Sequence, residues 1–179
     1  DKVSKFAFLN ADTVLLQSNE ALHIFSFSSK TSTPFMHQGE VFKASGYIHD
    51  FKITANGHAW MASSEGLYRI DVRRGEVEVL GRDQPFKSSR FLCIDEAVNG
   101  QLWLGTPLQG VAIYDPKTRE VRYLNDQQGL GNNTVVSIVK DEQRRRWVGT
   151  YNGISLLNAA GQLIANYYVE DGVANSASN

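Results

Sequence analysis

Short runs of alternating apolar and polar residues occur along the whole chain. The alternation is clear in Leu67–Ile70 and in Val77–Val79, and it is typical of strands that bury one face. The pairs Asn56-Gly57 and Asn99-Gly100 separate neighbouring runs, and such pairs are strong signals of a tight hairpin turn. No helical period interrupts the pattern. It therefore predicts an all-β chain of short strands joined by hairpins.

One segment of this pattern recurs at a fixed spacing. Trp60, Trp103 and Trp147 are the only tryptophans, and they lie 43 and 44 residues apart. The glycines that follow them keep step: Gly66, Gly110 and Gly153. A period in the forties that holds about four strand-length segments is typical of a β-propeller blade. We therefore expect about four blades of four antiparallel strands, forming a partial propeller.

The predicted blades cover residues 5–46, 47–89, 90–134 and 135–169. The first copy is degenerate, because Leu15 stands where the next copy has Trp60. Residues 170–179 resemble the connector before the fourth copy, so we expect them to begin a further repeat. An open array leaves an apolar sheet face uncovered at each end, which predicts self-association. Because the chain begins with Asp1 rather than Met, we also expect it to be a piece of a longer protein.

The composition limits the kinds of partner that the chain is expected to bind. Hydrophobic residues make up 42% of the chain, charged residues 21%, and the formal net charge is −1. There is no global positive field to attract nucleic acid, and no apolar run is long enough to span a membrane. The single cysteine, Cys93, lies within an apolar run and is predicted to be a buried strand residue.

The copies of the repeat resemble a known family. The residues that carry the resemblance are Val136-Ser137-Ile138, Asp141, Trp147–Thr150, Asn152–Ile154 and the connector Gly129–Asn133. They are similar to the two-component regulator propeller repeat, with the first copy the poorest match. The resemblance implies the extracytoplasmic sensor region of a bacterial hybrid histidine kinase or diguanylate-cyclase receptor. It also implies a periplasmic location, more than four blades in the full propeller, and a membrane helix and output domain outside this chain.

The repeated tryptophans and glycines have structural explanations. An indole on the second strand fills the space between adjacent sheets, and a glycine at the start of the third strand allows a bend that a Cβ would obstruct. Trp60, Trp103, Trp147, Gly66, Gly110 and Gly153 are therefore expected to form the scaffold rather than to contact a ligand.

A ligand site is expected on the loops. If the first strand of each blade is innermost, the loops between second and third strands share one edge with the connectors between blades. This edge, called the connector face below, holds the candidate ligand-binding residues Gln109, Asn132, Asn133, Tyr151 and Asn152, and also Arg82, Asp83, Asp126, Gln127 and Gln128. Amides, acids and an aromatic ring suit a polar small molecule or an oligosaccharide. The alternative is a solvated loop surface.

Catalytic and metal-binding patterns do not emerge from the sequence. The four histidines, His23, His37, His49 and His58, have no companion ligand at a zinc-site spacing, so neither a metal nor a cofactor is expected. His58 is predicted to be a solvated turn residue. Residues Arg144–Arg146 could form an anion patch, but a solvated turn between two strands is the preferred interpretation.

Three functions remain compatible with the sequence. The first is a non-enzymatic sensory propeller that binds a polar ligand. The second is an interaction scaffold, since propellers serve unrelated tasks. The third is an enzyme resembling the streptogramin lyases, which would need catalytic His and Glu residues on one face.

Overall fold

The strands form four antiparallel sheets, each built from four strands that are consecutive in the chain. The structure is a computed structural model that describes residues 3–18, 21–81, 86–88 and 90–172. The first sheet consists of β1 (Val3–Phe8), β2 (Thr13–Ser18), β3 (Ala21–Ser26) and β4 (Thr31–Pro34). A hairpin of β5 (Met36–His37) and β6 (Glu40–Val41) follows it.

The other three sheets repeat the same plan. The second consists of β7 (Ile48–Ile53), β8 (Ala59–Ser63), β9 (Leu67–Asp71) and β10 (Glu76–Leu80). The third consists of β11 (Cys93–Glu96), β12 (Leu102–Gly105), β13 (Val111–Tyr114) and β14 (Val121–Leu124). The fourth consists of β15 (Val135–Lys140), β16 (Arg146–Thr150), β17 (Gly153–Leu157) and β18 (Leu163–Tyr167). Single 3-10 turns lie at Asp126–Gln128 and Val169–Asp171.

The sheets are arranged as blades around a common side. The first strands of neighbouring sheets, β1, β7, β11 and β15, contact one another in that order, so the first strand of each blade is innermost. The four sheets, called blades 1 to 4, do not close into a ring. The predicted all-β fold of four-stranded propeller blades is therefore confirmed. The predicted further repeat falls mostly on residues 173–179, which lie outside the described residues.

Each pair of neighbouring blades encloses a hydrophobic core. Trp60 of blade 2 is 2% exposed and lies in one cluster with Phe91 and Leu102 of blade 3. Trp103 of blade 3 is 1% exposed and lies in a second cluster with Val135 and Val148 of blade 4. Burial of these apolar side chains is the main stabilising term of the array.

Blade 1 has no tryptophan, and other side chains fill its core. Leu15, at the corresponding position of β2, is fully buried in a cluster with Met61 of blade 2. Phe35 and Phe42 flank the β5–β6 hairpin. Phe35 belongs to the same cluster, and the partly buried Phe42 packs against it with its ring 5.9 Å from that of Tyr68. The additional hairpin therefore supplies aromatic volume that the degenerate repeat lacks.

The glycines before and at the start of the third strands occupy crowded positions. Gly110 has a φ of +73° and Gly153 a φ of +101°, which L side chains rarely adopt. A Cβ at Gly110 would overlap the carbonyl oxygen of Leu124, and one at Gly153 that of Tyr167. Only glycine allows the fourth strands of blades 3 and 4 to approach so closely.

Cys93 is buried on β11, as predicted. Burial raises the pKa of its thiol to about 12, so the thiolate is not available as a nucleophile near neutral pH. No helix among the described residues is long and apolar enough to cross a membrane.

One prediction about the turn at Arg144–Arg146 is wrong. Arg146 is 2% exposed rather than solvated, and its guanidinium lies over the ring of Trp103, 4.1 Å from the ring centre. Because side chains alternate along a strand, the first residue of β16 faces blade 3, whereas its neighbours Arg145 and Trp147 face the other side.

Candidate functional site

The connector face is assembled by hydrogen bonds between three loops. The Gly110 backbone N–H donates to the Asn133 carbonyl at 2.9 Å, and the Thr134 hydroxyl donates to the Pro107 carbonyl at 2.5 Å. The Tyr151 backbone N–H donates to the Thr134 carbonyl at 3.1 Å. These bonds bring the Thr106–Gly110 loop, the connector from β14 to β15 and the loop before β17 to one edge.

Two of the predicted ligand-binding amides have structural partners. The Asn133 side-chain oxygen accepts from the Asp126 backbone N–H at 2.9 Å, and the Asn132 side-chain oxygen accepts from the Thr134 N–H at 2.8 Å. Both residues are half-buried. Their side-chain oxygens therefore shape the connector, and a ligand would compete with these bonds.

The other three candidates lie closer to solvent. Tyr151 is 63% exposed and Asn152 is also exposed, while Gln109 is half-buried. The backbone N–H groups of Gln109 and Asn152 donate to the hydroxyls of Thr106 and Thr150, which leaves their side chains at the loop surface. A phenol ring next to an amide can stack on an apolar ligand face and hydrogen-bond a polar one.

Leu108 extends this surface and was not among the predicted residues. It is 73% exposed at the tip of the Thr106–Gly110 loop. The high exposure of a leucine in a short loop could not be read from the sequence, because the side-chain direction depends on the turn. Arg82 and Asp83, which were expected on the same face, lie outside the described residues.

The connector is held to blade 4 by a polar network that the sequence did not reveal. The Gly131 N–H donates to the Ser155 hydroxyl at 3.0 Å, and that hydroxyl donates to the Asn166 side-chain oxygen at 2.6 Å. The Asn166 amide in turn donates to the Gly129 carbonyl at 2.9 Å. The available sequence signal was a serine within an apolar strand. Ser155 is buried, and a buried hydroxyl requires a hydrogen-bond partner. The network orders the loop that carries Asn132 and Asn133.

His58 differs from its prediction as a solvated turn residue. Its side chain is half-buried, and Arg69 lies 2.9 Å from its Nε2, while its Nδ1 is buried with no hydrogen-bond partner. Burial and the Arg69 charge lower the pKa of His58, so the imidazole is neutral near pH 7. Among the described residues, no three His, Cys, Asp or Glu side chains form a group that could hold a metal ion.

No protein-family model and no curated protein sequence matches the chain. Solved structures do match it. The extracellular domain of a one-component system proposed in B. thetaiotaomicron aligns with a TM-score of 0.75 and 13% identity, over 93% of this chain and 24% of that one. The extracellular domain of a hybrid two-component system proposed in the same organism aligns with a TM-score of 0.61 and 16% identity, over 93% of this chain and 28% of that one.

An enzyme has a similar fold. Virginiamycin B lyase from Staphylococcus aureus aligns with a TM-score of 0.67 and 14% identity, over 91% of this chain and 54% of that chain. This chain thus spans about a quarter of the B. thetaiotaomicron domains and about half of the lyase. At these identities the likeness establishes the fold alone. The chain is therefore a segment of a β-propeller that is similar in structure to extracellular domains of bacterial one-component and two-component systems.

Proposed function

We propose that this chain is a non-enzymatic sensory segment of an extracytoplasmic bacterial receptor, located in the periplasm. The observation that carries the proposal is the agreement of two features. The sequence repeats resemble the two-component regulator propeller, and 93% of the chain aligns with extracellular domains proposed to belong to a one-component and a hybrid two-component system. The kinase or cyclase and the membrane anchor belong to parts of the receptor outside this chain.

The connector face is the proposed binding surface, and its ligand is a polar small molecule or an oligosaccharide. Tyr151 provides an exposed ring, and Asn152 and Gln109 provide amide groups on the adjoining loops. The hydrogen bonds of Ser155 and Asn166 to the connector order this surface before a ligand binds, which reduces the conformational entropy lost on binding. Asn132 and Asn133 would act mainly by positioning this loop.

An oligosaccharide array tests this proposal directly. The wild-type chain is expected to bind at least one class of glycan, and Tyr151→Ala with Asn152→Ala should weaken that binding about tenfold or more, as expected for loss of an aromatic contact. Lys117→Ala, an exposed residue on the turn after β13, is the matched control and should bind as the wild type does. Equal binding by the double variant, or no binding by the wild type, would exclude a glycan site on this face.

A lyase activity is the second candidate, favoured by the structural match to virginiamycin B lyase. A histidine variant of that lyase is described as catalytically inactive, so a free imidazole is the group to seek here. His58 and Glu78 line one cavity, but Arg69 contacts both of them, at 2.9 Å from the His58 Nε2 and 3.5 Å from the Glu78 Oε2. Arg119 also pairs with Glu78. These contacts leave neither group free as a general base, which supports the non-enzymatic proposal.

Incubation with quinupristin, the compound bound to the inactive lyase, separates the two candidates. We expect its concentration to remain constant in the presence of the chain and a divalent metal. Consumption of the antibiotic that depends on the metal and is abolished by His58→Ala would replace the sensory proposal with the lyase.

A further inference from the structure

A cavity of about 300 Å³ lies between blades 3 and 4, at the edge opposite the connector face. Three cationic side chains line it, those of Lys140, Arg144 and Arg146. The wall contributed by blade 3 includes Trp103 and the amide side chains of Asn99 and Gln101. From the sequence, Arg144–Arg146 at this edge could form an anion patch, although a solvated turn was the preferred interpretation.

Arg146 is the buried element of this cavity. Its guanidinium lies over the Trp103 ring, 4.1 Å from the ring centre, and only 2% of the residue is exposed. Its Nε atom forms an ion pair with Oδ2 of Asp95 at 3.6 Å, which is too long for a hydrogen bond, so both buried atoms lack a hydrogen-bond partner. A desolvated guanidinium with an unused donor is unfavourable unless an anion or another acceptor satisfies it.

The charges around Arg146 do not balance. Asp95 is the carboxylate next to it, and the other oxygen of that carboxylate accepts a hydrogen bond from Lys52 at 2.9 Å. One carboxylate is thus shared by two buried or half-buried cations. Lys140 and Arg144, both exposed, add two positive charges at the mouth of the cavity. The described residues that line it include no aspartate or glutamate.

Two acids lie in the turn between Lys140 and Arg144: the exposed Glu142 is not among the residues that line the cavity, and Asp141 is committed to the other face of blade 4. Asp141 accepts hydrogen bonds from Arg145 at 2.7 Å and from the Trp147 indole at 3.1 Å. It therefore neutralises Arg145 rather than Arg144 or Arg146. The cavity keeps its positive charge although the chain as a whole has a net charge of −1.

We propose that this cavity binds the carboxylate or phosphate group of a small molecule. Arg146 is the buried anchor, since a guanidinium presents several donors in a plane that matches these anions. Lys140 and Arg144 attract the anion at the mouth, and Asn99 and Gln101 hydrogen-bond the rest of the molecule. Burial lowers the pKa of Arg146, and a bound anion would offset that desolvation. Anion binding by this cavity does not depend on the proposed sensory function.

Nuclear magnetic resonance titration tests the proposal. Inorganic phosphate and acetate are added separately at constant ionic strength, and the Trp103 indole N–H signal reports on the cavity. We expect a saturable shift of that signal with at least one anion. The double variant Lys140→Gln, Arg144→Asn should weaken binding about tenfold, because two favourable charges are lost. Asn is chosen because residue 144 has a φ of +63°, which asparagine tolerates.

Lys117→Gln is the matched control, since it removes an exposed positive charge outside the cavity and should leave the titration unchanged. The relative affinities of phosphate and acetate identify the class of anion. An unsaturable response to both anions, or the same affinity in the double variant as in the wild type, would overturn the proposal. If the double variant loses the dispersed spectrum of a folded chain, Lys140→Gln alone replaces it, and its affinity must fall for the proposal to stand.

Discussion

Trp103 and Trp147 occupy the same position in consecutive blades, yet their environments differ. Trp103 is 1% exposed between blades 3 and 4. Trp147 is half-buried, and its ring stacks on Tyr167 at 5.9 Å while its N–H donates to Asp141. The difference arises because a following blade covers Trp103, whereas no described residue covers Trp147 in this way. The contribution of a repeated tryptophan to stability therefore depends on whether a neighbouring blade covers it.

Truncation of the two tryptophans should show this difference. We expect Trp103→Ala to lower the free energy of unfolding by about 3–5 kcal/mol, the range for a fully buried aromatic side chain. Trp147→Ala should cost less, about 1–2 kcal/mol, since it loses a partial contact and one hydrogen bond. Urea denaturation of both variants measures the two losses. Equal losses would mean that Trp147 is as well covered as Trp103.

At the scale of the element, the turn between the first two strands is the most regular part of each blade. In all four blades the side-chain oxygen of an Asn or Asp accepts a hydrogen bond from the backbone N–H two residues later. The accepting residues are Asn10, Asn56, Asn99 and Asp141. This local bond sets the turn before any blade packs on another. It explains why strand boundaries could be read from the sequence even in the degenerate first copy.

The Asp141 turn predicts a dependence of stability on pH. Burial raises the pKa of this carboxyl, but hydrogen bonds from Arg145 and Trp147 outweigh it, so the pKa lies below its ordinary value. The stabilisation is therefore complete above the unfolded pKa of about 4 and is lost as pH falls through the lower folded value. Asp141→Asn should be less stable at neutral pH and should lose less stability on acidification.

Urea denaturation at pH values from about 7 to about 3 checks this expectation around the unfolded pKa. Glu142→Gln, an exposed change in the same turn, is the control and should follow the wild-type profile. If the Asp141→Asn and wild-type profiles are parallel throughout, the hydrogen bonds to Asp141 do not couple protonation to folding.

At the scale of the whole molecule, both ends of the open array carry apolar side chains in contact with solvent. On blade 1, Phe6 is 61% exposed and Phe8 57%, and their rings lie 6.1 Å apart. Phe27 is 48% exposed and stacks on Phe8 at 6.2 Å. On blade 4, Val139 is 61% exposed. We propose that a second copy of the chain covers these faces, because so large an aromatic surface is unfavourable in water.

Self-association should therefore depend on concentration and on the blade 1 aromatic cluster. Light scattering is expected to show a mass above that of one chain at micromolar concentration, and Phe6→Ser with Phe8→Ser should shift the equilibrium toward the monomer. Leu108→Ser, which removes a more exposed apolar side chain from the connector face, should have little effect. A compact wild-type monomer that does not bind the dye ANS would rule out this proposal.

The strands, the turns and the blade repeat follow from the amino-acid sequence, because each depends on local chemistry. Alternation, turn residues and the spacing of Trp60, Trp103 and Trp147 are properties of neighbouring residues in the chain. The sequence also located the loops that form the connector face, since strand order follows from hairpin connections.

Which of these residues are buried, and what they contact, follows only from the packing of the blades. Arg146 was expected in a solvated turn but lies against Trp103, because the register of β16 turns it toward the preceding blade. The Ser155 and Asn166 contacts to the connector likewise join segments far apart in sequence. Burial and hydrogen bonding between blades depend on how whole sheets pack, and no local pattern of residues contains that information.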